Sequence, residues 1–358
     1  MTEWKEYKFS DFVEINPSVK IPKGIPVSFV EMKDLDSSVR YCESSQKKEL
    51  TGGSRFINGD TLFARITPCM ENGKICQVRN LENGIGFGST EFHILRGKDG
   101  VSDSDFVYYL SRWDEVRDHA EHNMEGSSGR QRVPKQAFDN LYLNLPPLPT
   151  QHRIASILSS LDDKIDLLYR ENATLEQMAE TLFRQWFVVE AKEEWEEGKL
   201  GDLIEVKYGK DHKKLLDGKI PVIGSGGIMR YADTALYDKE SVLIPRKGSL
   251  NNVMYMNEPF WTVDTMFYTE MRRPNIAKFV FHFMKGQDLA NMNVGSAVPS
   301  MTTEVLNNVP IDIPPQEVFD KFENAVASLY NKKEQNNKQI QTLIQIRDGL
   351  LPRLMSGK

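Results

Sequence analysis

The chain has 358 residues, 40% of them hydrophobic and 27% charged, which is typical of a soluble globular protein with room for two domains. Its net charge of −6 gives no general affinity for nucleic acid, so a nucleic-acid-binding surface would have to be a local patch. No apolar run is long enough for a membrane span or a signal peptide. The odd, scattered set Cys42, Cys69 and Cys76 indicates reduced thiols, so we expect a cytoplasmic protein.

The first third of the chain predicts a domain of strands with a few helices. Residues 4–15 (WKEYKFSDFVEI) predict a short helix or strand that starts the domain. Residues 59–78 (GDTLFARITPCMENGKICQV) read as strand, polar turn and strand, and residues 84–95 as a Gly-rich turn leading into another strand. Residues 104–120 have helical spacing and lead into a loop, 123–138, that is rich in Gly, Ser, Arg and Gln.

Residues 146–187 predict one long helix. After the opening prolines, which tolerate only the start of a helix, no Pro or Gly interrupts the segment. Apolar residues recur every seven positions in two rows, a pattern that predicts a narrow seam for a partner helix. At 1.5 Å per residue, about 35 residues span roughly 50 Å. The predicted seam residues here are Ile154, Leu161, Leu168, Asn172, Leu175 and Leu182.

After an acidic run at 190–197, which we interpret as a solvated hinge, the chain repeats its plan. Residues 195–206 (WEEGKLGDLIEV) match the start of the first domain, and residues 240–256 (ESVLIPRKGSLNNVMYM) mirror its strand, turn and strand. Residues 220–233 (IPVIGSGGIMRYAD) predict a strand followed by a Gly-rich turn. Residues 294–306 lie 168 positions after 126–138. A repeat of this size predicts two related domains.

The C-terminal segment predicts the partner helix. VPIDIPP (309–315) lies 168 positions after LYLNLPP (141–147), and both predict a short strand before the helix. The seam residues of this second helix are Phe322, Leu329, Asn336, Leu343 and Leu350. If the two helices are antiparallel, Asn172 meets Lys333 and Asn336 near the middle and fixes the register; the alternative is that these three side chains are exposed.

The predicted fold is therefore α+β, with two globular domains of mixed α/β structure separated by two long helices. The helices pair as an antiparallel coiled coil, and the molecule has an approximate two-fold axis. The predicted boundaries are 1–147 for the first domain, 148–190 for the central helix, 191–315 for the second domain and 316–358 for the C-terminal helix.

No catalytic motif accompanies this plan. The sequence holds no Walker A sequence, no HExxH and no CxxC pair. GIGFG (84–88) lacks the spacing of a dinucleotide site, and His119 and His122 are better interpreted as a solvated helix face than as metal ligands. GSGG (224–227) is interpreted as a tight turn rather than an anion site. We therefore expect a binding protein without catalytic residues.

The two helical segments, the paired Trp starts, the GDTLFARI strand and the GSGGIMRYAD turn resemble one family over essentially the whole chain: the specificity subunits of type I restriction-modification systems. The resemblance implies two target recognition domains, each reading one half of a bipartite, gapped sequence in double-stranded DNA. It implies that the coiled coil sets the spacer and docks two methyltransferase subunits. It also implies that motor endonuclease subunits join the complex. S-adenosylmethionine, ATP and magnesium would serve those partners, and this chain would hold no cofactor.

Reading base edges requires Arg, Lys, Asn, Gln, Ser or Thr on positioned loops, because these side chains match the donor and acceptor pattern of the major groove. Others in the same loops are expected to contact phosphates. The candidates in the first domain are Arg65, Thr67, Lys74, Ser127, Ser128, Arg130, Gln131 and Arg132. Those in the second are Arg230, Arg246, Lys247, Ser249, Asn251, Asn252, Ser296, Ser300 and Thr302.

Two other functions fit parts of the sequence. A non-catalytic assembly scaffold would have the same helix pair and would bind proteins through its two domains, but it leaves the repeated Arg, Ser, Asn and Gln loops unexplained. A nuclease with scattered carboxylates is the other alternative, and the absence of metal-ligand spacing in the sequence disfavours it.

Overall fold

The computed structural model describes residues 4–22, 24–127, 129–292 and 300–357. The chain divides into two compact units: the first unit comprises residues 1–171 and 335–358, and the second comprises residues 172–334. Each unit therefore includes part of both long helices.

Most elements of the first unit lie between the start of the chain and the first long helix. In chain order they are β1 (Lys5–Lys8), α1 (Phe9–Phe12), β2 (Val13–Ile15), β3 (Val27–Val30), β4 (Tyr41–Cys42), β5 (Gln46–Lys48), β6 (Ser54–Ile57), β7 (Thr61–Ala64), β8 (Ile75–Val78), β9 (Ile85–Gly88), β10 (Phe92–Gly97), α2 (Ser104–Arg112), α3 (Asp114–His122), β11 (Tyr142–Leu145) and the long helix α4 (Leu148–Arg184). Short 3-10 turns lie at Met32–Asp34, Glu82–Gly84 and Lys135–Asn140.

A π-helical turn, Gln185–Val189, follows α4, and the remaining elements come after it. They are β12 (Glu196–Lys199), α5 (Leu200–Leu203), β13 (Ile204–Tyr208), β14 (Asp217–Gly224), β15 (Gly227–Ala232), β16 (Ser241–Pro245), β17 (Met254–Met256), β18 (Trp261–Thr262), β19 (Met266–Met271), α6 (Ala277–Lys285), α7 (Thr303–Asn307), β20 (Pro310–Ile313) and the long helix α8 (Gln316–Met355).

The first unit contains two sheets and a strand pair. One sheet has the order β2-β10-β7-β8-β4, the other has the order β5-β3-β9-β6, and β1 pairs with β11. Strands β7 and β8 are buried along their whole length, which explains their apolar composition. Helix α2 covers the first sheet, and its N-terminus is capped by Asp103, which accepts a hydrogen bond from the Phe106 N–H at 2.8 Å.

The second unit repeats this topology with different side chains. Its main sheet has the order β13-β19-β16-β17, which matches β2-β10-β7-β8, and β12 pairs with β20 as β1 pairs with β11. Helix α6 packs on β16 and β17 of this sheet. A smaller sheet, β15-β14-β18, takes the place of the second sheet of the first unit. The repeat predicted from the sequence therefore extends to strand order.

The long helices are antiparallel within each unit. In the first unit, Asp162 of α4 bonds Arg347 of α8 at 2.8 Å, and Glu171, further along α4, bonds Asn336, which lies earlier in α8, at 3.0 Å. In the second unit, Glu176 pairs with Lys333, and the rings of Phe183 and Phe322 lie 6.2 Å apart. The prediction of mixed α/β domains with two long, paired helices is confirmed.

The predicted seam residues all lie at least partly inside the protein. Those that are buried are Ile154, Leu168, Asn172, Phe322 and Asn336. Those that are partly buried are Leu161, Leu175, Leu182, Leu329, Leu343 and Leu350. At two places on α4 the buried residue is the next one along the chain: Asp162 instead of Leu161, and Phe183 instead of Leu182. A straight helix has 3.6 residues per turn, so residues spaced seven apart move gradually around its surface. The buried face therefore shifts to a neighbouring residue along the helix.

Candidate nucleic-acid interface

In the first unit, the residues after β7 are held between two other segments. The Arg65 N–H donates to the Glu91 carbonyl at 2.9 Å, and the Arg65 carbonyl accepts from Val133 N–H at 2.8 Å. Thr67 and Gln131 are joined twice, from Thr67 N–H to the Gln131 carbonyl at 3.0 Å and from Gln131 N–H to the Thr67 hydroxyl at 3.1 Å. The structure thus brings Arg65 and Thr67 together with the loop that carries Gln131.

That loop is a short hairpin with an exposed tip. Glu125 and Arg132 exchange backbone hydrogen bonds of 2.9 and 2.8 Å, and the Arg130 N–H closes the tip on the Ser127 carbonyl at 3.0 Å. The side chains of Ser127 and Arg130 are exposed. Ser128 lies outside the described residues. The hairpin therefore presents its polar tip to solvent from a base that the sheet domain fixes.

Two basic side chains predicted at this site have partners within the protein. Arg132 makes a bidentate ion pair with Glu91, with nitrogen–oxygen distances of 2.8 to 3.0 Å. The hydrogen bonds that Arg132 donates to Glu91 raise the pKa of Arg132. Lys74 donates to the Met32 carbonyl at 2.9 Å. These two cations thus position the loops. Of the two hairpin arginines, Arg130 is the more accessible to a ligand.

A buried histidine, His93, supports the hairpin from below. Its Nε2 lies 2.8 Å from the Val133 carbonyl and its Nδ1 lies 3.2 Å from the Asn16 side-chain nitrogen. Burial, with a smaller contribution from the nearby Arg65 charge, lowers the pKa of His93 to about 4. At neutral pH the ring is uncharged. His93 therefore helps to hold the hairpin in place without adding a charge to the interface.

The second unit reproduces the same backbone contacts. The Arg246 N–H donates to the Thr265 carbonyl at 2.8 Å, and the Arg246 carbonyl accepts from Met301 N–H at 2.8 Å. Lys247 and Ser300 form a β-bridge, as Ile66 and Arg132 do in the first unit. Ser296 lies outside the described residues. Predicted residues from two distant segments of the second unit are therefore neighbours.

A polar loop at residues 246–252 packs on the glycine-rich turn after β14. Asn252 donates from its side chain to the Ser225 carbonyl at 2.9 Å and from its N–H to the Ser249 carbonyl at 3.2 Å. The side chains of Ser249 and Asn251 are exposed. The guanidinium of Arg246 lies 5.2 Å from the ring centre of Tyr208, which is itself half exposed.

Two predicted residues of the second unit have local structural roles. Arg230, on β15, donates to the Leu215 carbonyl at 2.9 Å and to Asp217 at 3.0 Å. Thr302 caps α7, because its hydroxyl accepts from Val305 N–H at 3.2 Å. Neither contact belongs to the 246–252 loop.

Sequence reasoning missed Glu91, Tyr208 and Ser225. Glu91 had no signal, because its partner Arg132 is 41 residues away in the chain. Tyr208 lies two residues after the matched start of the second domain, 195–206, so the repeat could have pointed to this neighbourhood. Ser225 lies in the GSGG turn, which was interpreted as a turn only.

No helix within residues 4–22, 24–127, 129–292 and 300–357 is long and apolar enough to cross a membrane. In the same part of the chain, no group of three or more His, Cys, Asp or Glu side chains is placed to hold a metal ion. His119 instead contacts the Ala137 carbonyl at 2.9 Å.

The sequence model of the family described as Type I restriction modification DNA specificity domain matches residues 1–177 and 192–345. The chain belongs to this family. The resemblance stated from the sequence is thereby confirmed, and the family's role lies in DNA sequence specificity. The curated relatives reported below are specificity subunits of type I restriction enzymes.

Relatives in this family match the chain to different extents. The chain is 24% identical to the type I restriction enzyme HindI specificity subunit of Haemophilus influenzae, over 100% of both proteins. It is 31% identical to the EcoAI specificity subunit of Escherichia coli, over 50% of this chain and 32% of that subunit, so it matches about a third of that relative's length. The crystal structure of a type I restriction-modification S subunit from M. genitalium has a TM-score of 0.50 at 18% identity, covering 99% of this chain and 96% of that one. That likeness shows a common fold.

Proposed function

We propose that this chain selects the DNA target of a type I restriction-modification complex, with each unit reading one half of a bipartite, gapped sequence. The observation that carries the proposal is the repeated loop constellation in a chain of the specificity family. In both units an arginine follows a central strand, and both its backbone N–H and its carbonyl are hydrogen-bonded to other segments. Polar side chains lie on the loops beside it. Side chains of this kind recognise base edges when a rigid scaffold positions them.

Within this proposal, residues 1–147 and 191–315 are the target recognition domains and the two helices are the spacer. The residues that read bases are among those predicted from the sequence. The foremost are the exposed Ser127 and Arg130 in the first unit and the exposed Ser249 and Asn251 in the second. Residues such as Arg132 and Arg230, whose guanidinium groups pair with carboxylates, hold the loops in place.

The partners follow from the same proposal. Two methyltransferase subunits would dock on the helices and methylate the target with S-adenosylmethionine. Motor endonuclease subunits would add ATP- and magnesium-dependent cleavage. The chain itself would need no cofactor.

The experiment that tests the proposal is co-expression of this chain with the methyltransferase subunit from its own operon, followed by sequencing of adenine methylation in the host. We expect a bipartite, gapped methylated motif that disappears when this chain is omitted. A stable complex without any such motif would favour the assembly scaffold.

The helices supply a second test. Deleting one heptad from each, residues 165–171 and 333–339, shortens the helix pair by roughly 10 Å. If the helices set the spacer, the gap in the methylated motif contracts by about 3 base pairs while both half-sites keep their bases. A shortened chain that still forms the complex and methylates the original gap would contradict the spacer role.

A further inference from the structure

A recessed pocket of about 270 Å³ lies in the first unit, beside the hairpin but apart from its tip. Two arginines line it, Arg55 on strand β6 and Arg65 after strand β7. Gly53 forms part of the wall, where its φ of 103° and the Gly88 carbonyl, 2.0 Å from any added Cβ, leave no room for a side chain. At Gly53 the pocket wall is therefore packed closely against strand β9.

Among the described residues, none that lines the pocket is acidic, so the lining has no carboxylate to offset the two arginines. Glu91, whose carbonyl accepts the Arg65 N–H, pairs through its carboxylate with Arg132. Arg55 is exposed, and its guanidinium makes one long hydrogen bond of 3.4 Å to the Val19 carbonyl.

Arg65 has an unsatisfied donor. Within the described parts of the chain, its buried Nε–H has no hydrogen-bond acceptor. Leaving a buried donor of this kind unpaired costs about 1–3 kcal/mol, so the site is one that an incoming acceptor would stabilise. The hydroxyls of Ser18 and Thr90 line the same pocket and supply further donors.

A concave pocket lined by arginines suits one kind of group on DNA better than another. Base edges lie at the floor of a major groove about 8.5 Å deep, so they are reached by side chains that project, such as that of Arg130 at the hairpin tip. Phosphates form the outer ridge of the duplex and can enter a recess. Arginines match phosphate oxygens in a bidentate manner.

We propose that Arg55 and Arg65 bind one backbone phosphate of the DNA next to the first half-site, and that this contact fixes the orientation in which the hairpin meets the bases. The proposal rests on the DNA-recognition function proposed above and refines it. It assigns Arg65 to phosphate rather than to a base, and it adds Arg55, which the sequence did not single out.

The corresponding arginine of the second unit is arranged differently. Arg246 donates to the Asp264 carbonyl at 3.2 Å and lies against the Tyr208 ring. Its guanidinium thus has a ring and a carbonyl as partners within the unit, whereas Arg55 and Arg65 together line one pocket. The phosphate site is accordingly assigned to the first unit alone.

The test uses the complex of this chain with its methyltransferase subunits. Its affinity for a duplex with the methylated motif, and for a scrambled duplex, is measured by fluorescence anisotropy over a series of salt concentrations. Arg55→Gln is the main variant, because an exposed side chain can be changed without disturbing the core. Arg55→Lys retains the charge, and Lys5→Gln, an exposed position on β1, is the charge-matched control.

We expect Arg55→Gln to weaken binding to both duplexes by about five- to tenfold and to lower the slope of log affinity against log salt by about 1, with the methylated motif unchanged. Arg55→Lys should keep most of the slope, and Lys5→Gln should match the wild type.

If Arg55→Gln behaves like Lys5→Gln, or if it changes a base of the motif, the phosphate assignment is wrong. If the wild-type complex does not prefer the motif duplex, it is the proposed function that fails.

Discussion

At one matched position, the contact between the helix pair and the sheet domain is made of different chemistry in the two units. In the first unit, buried Asp162 of α4 accepts hydrogen bonds from Tyr109 of α2 at 2.6 Å and from Arg347 of α8 at 2.8 Å. In the second unit, Tyr330 of α8 and His282 of α6 meet at 3.0 Å. Tyr109 and His282 are each the sixth residue of a nine-residue helix, and positions 162 and 330 are 168 apart.

The difference shows that the repeat retains backbone positions while the buried groups change. The first unit has a buried ion pair there, so removing one charge would leave the other buried with weaker compensation, from Asp348 for Arg347 and from Tyr109 for Asp162. The second unit has a neutral pair beside a cluster of aromatic rings, in which the rings of Phe187 and Phe322 lie 5.1 Å apart. The two contacts should therefore respond differently to substitution and to pH.

The largest effect is expected from breaking the ion pair. Burial alone would lower the pKa of Arg347, but Asp162 and Asp348 raise it, so the guanidinium stays charged. Asp162→Asn should destabilise the first unit by about 3–5 kcal/mol, because the buried guanidinium of Arg347 loses its buried carboxylate and keeps only that of Asp348, which is exposed. Urea unfolding, with hydrogen exchange to separate the units, measures the loss. The double variant Asp162→Asn with Arg347→Met should recover most of it; a single variant as stable as the wild type would contradict this account.

The next effect concerns acid. Burial lowers the pKa of His282 to about 4, below its usual 6.5, so the unfolded chain takes up a proton before the folded one does. The stability of the second unit is complete above pH 6.5 and falls as the pH drops towards 4, by up to about 3 kcal/mol. The variant His282→Gln should flatten this dependence in urea unfolding followed from pH 7 to 4.5. An unchanged slope would show that His282 is protonated in the folded state. His93 should add the same sign of dependence to the first unit.

A matched pair of tyrosine variants compares the two contacts directly. Tyr109→Phe removes a hydrogen bond to a carboxylate, which is worth about 1.5–3 kcal/mol, whereas Tyr330→Phe removes one between neutral groups, worth about 0.5–1.5 kcal/mol. Thermal unfolding should therefore rank Tyr109→Phe as the more destabilising change. The reverse order would indicate that the aromatic cluster depends on the Tyr330 hydroxyl more than the ion pair depends on that of Tyr109.

The smallest effect on stability is expected at the hairpin. Glu91→Gln removes the carboxylate charge that pairs with Arg132 at the protein surface. We expect no measurable change in melting temperature, but weaker discrimination in the first half of the methylated motif, because the hairpin base is less rigid. A change confined to the second half would contradict the assignment of this hairpin.

The sequence predicted the repeat, the long helices and their pairing, because periodicity and the 168-residue spacing are properties of the chain itself. It also located the loops that carry Arg130 and Asn251. It did not predict the pairing of Arg132 with Glu91, the stacking of Arg246 on Tyr208 or the pocket with Arg55, because each depends on which distant segments the sheets bring together. The burial of Asn172 was left open, since a polar seam residue has the same spacing whether it is inside or outside.

The central claim is that the two units read separate halves of one DNA target. Its most direct test is adenine-methylation sequencing of cells that express the complex with Arg130→Ala or, separately, Asn251→Ala. We predict that the first variant relaxes bases in one half of the motif only, that the second relaxes bases in the other half only, and that the gap is unchanged in both. If both variants alter the same half, or if neither alters the motif in a complex that still assembles and methylates, the claim is wrong.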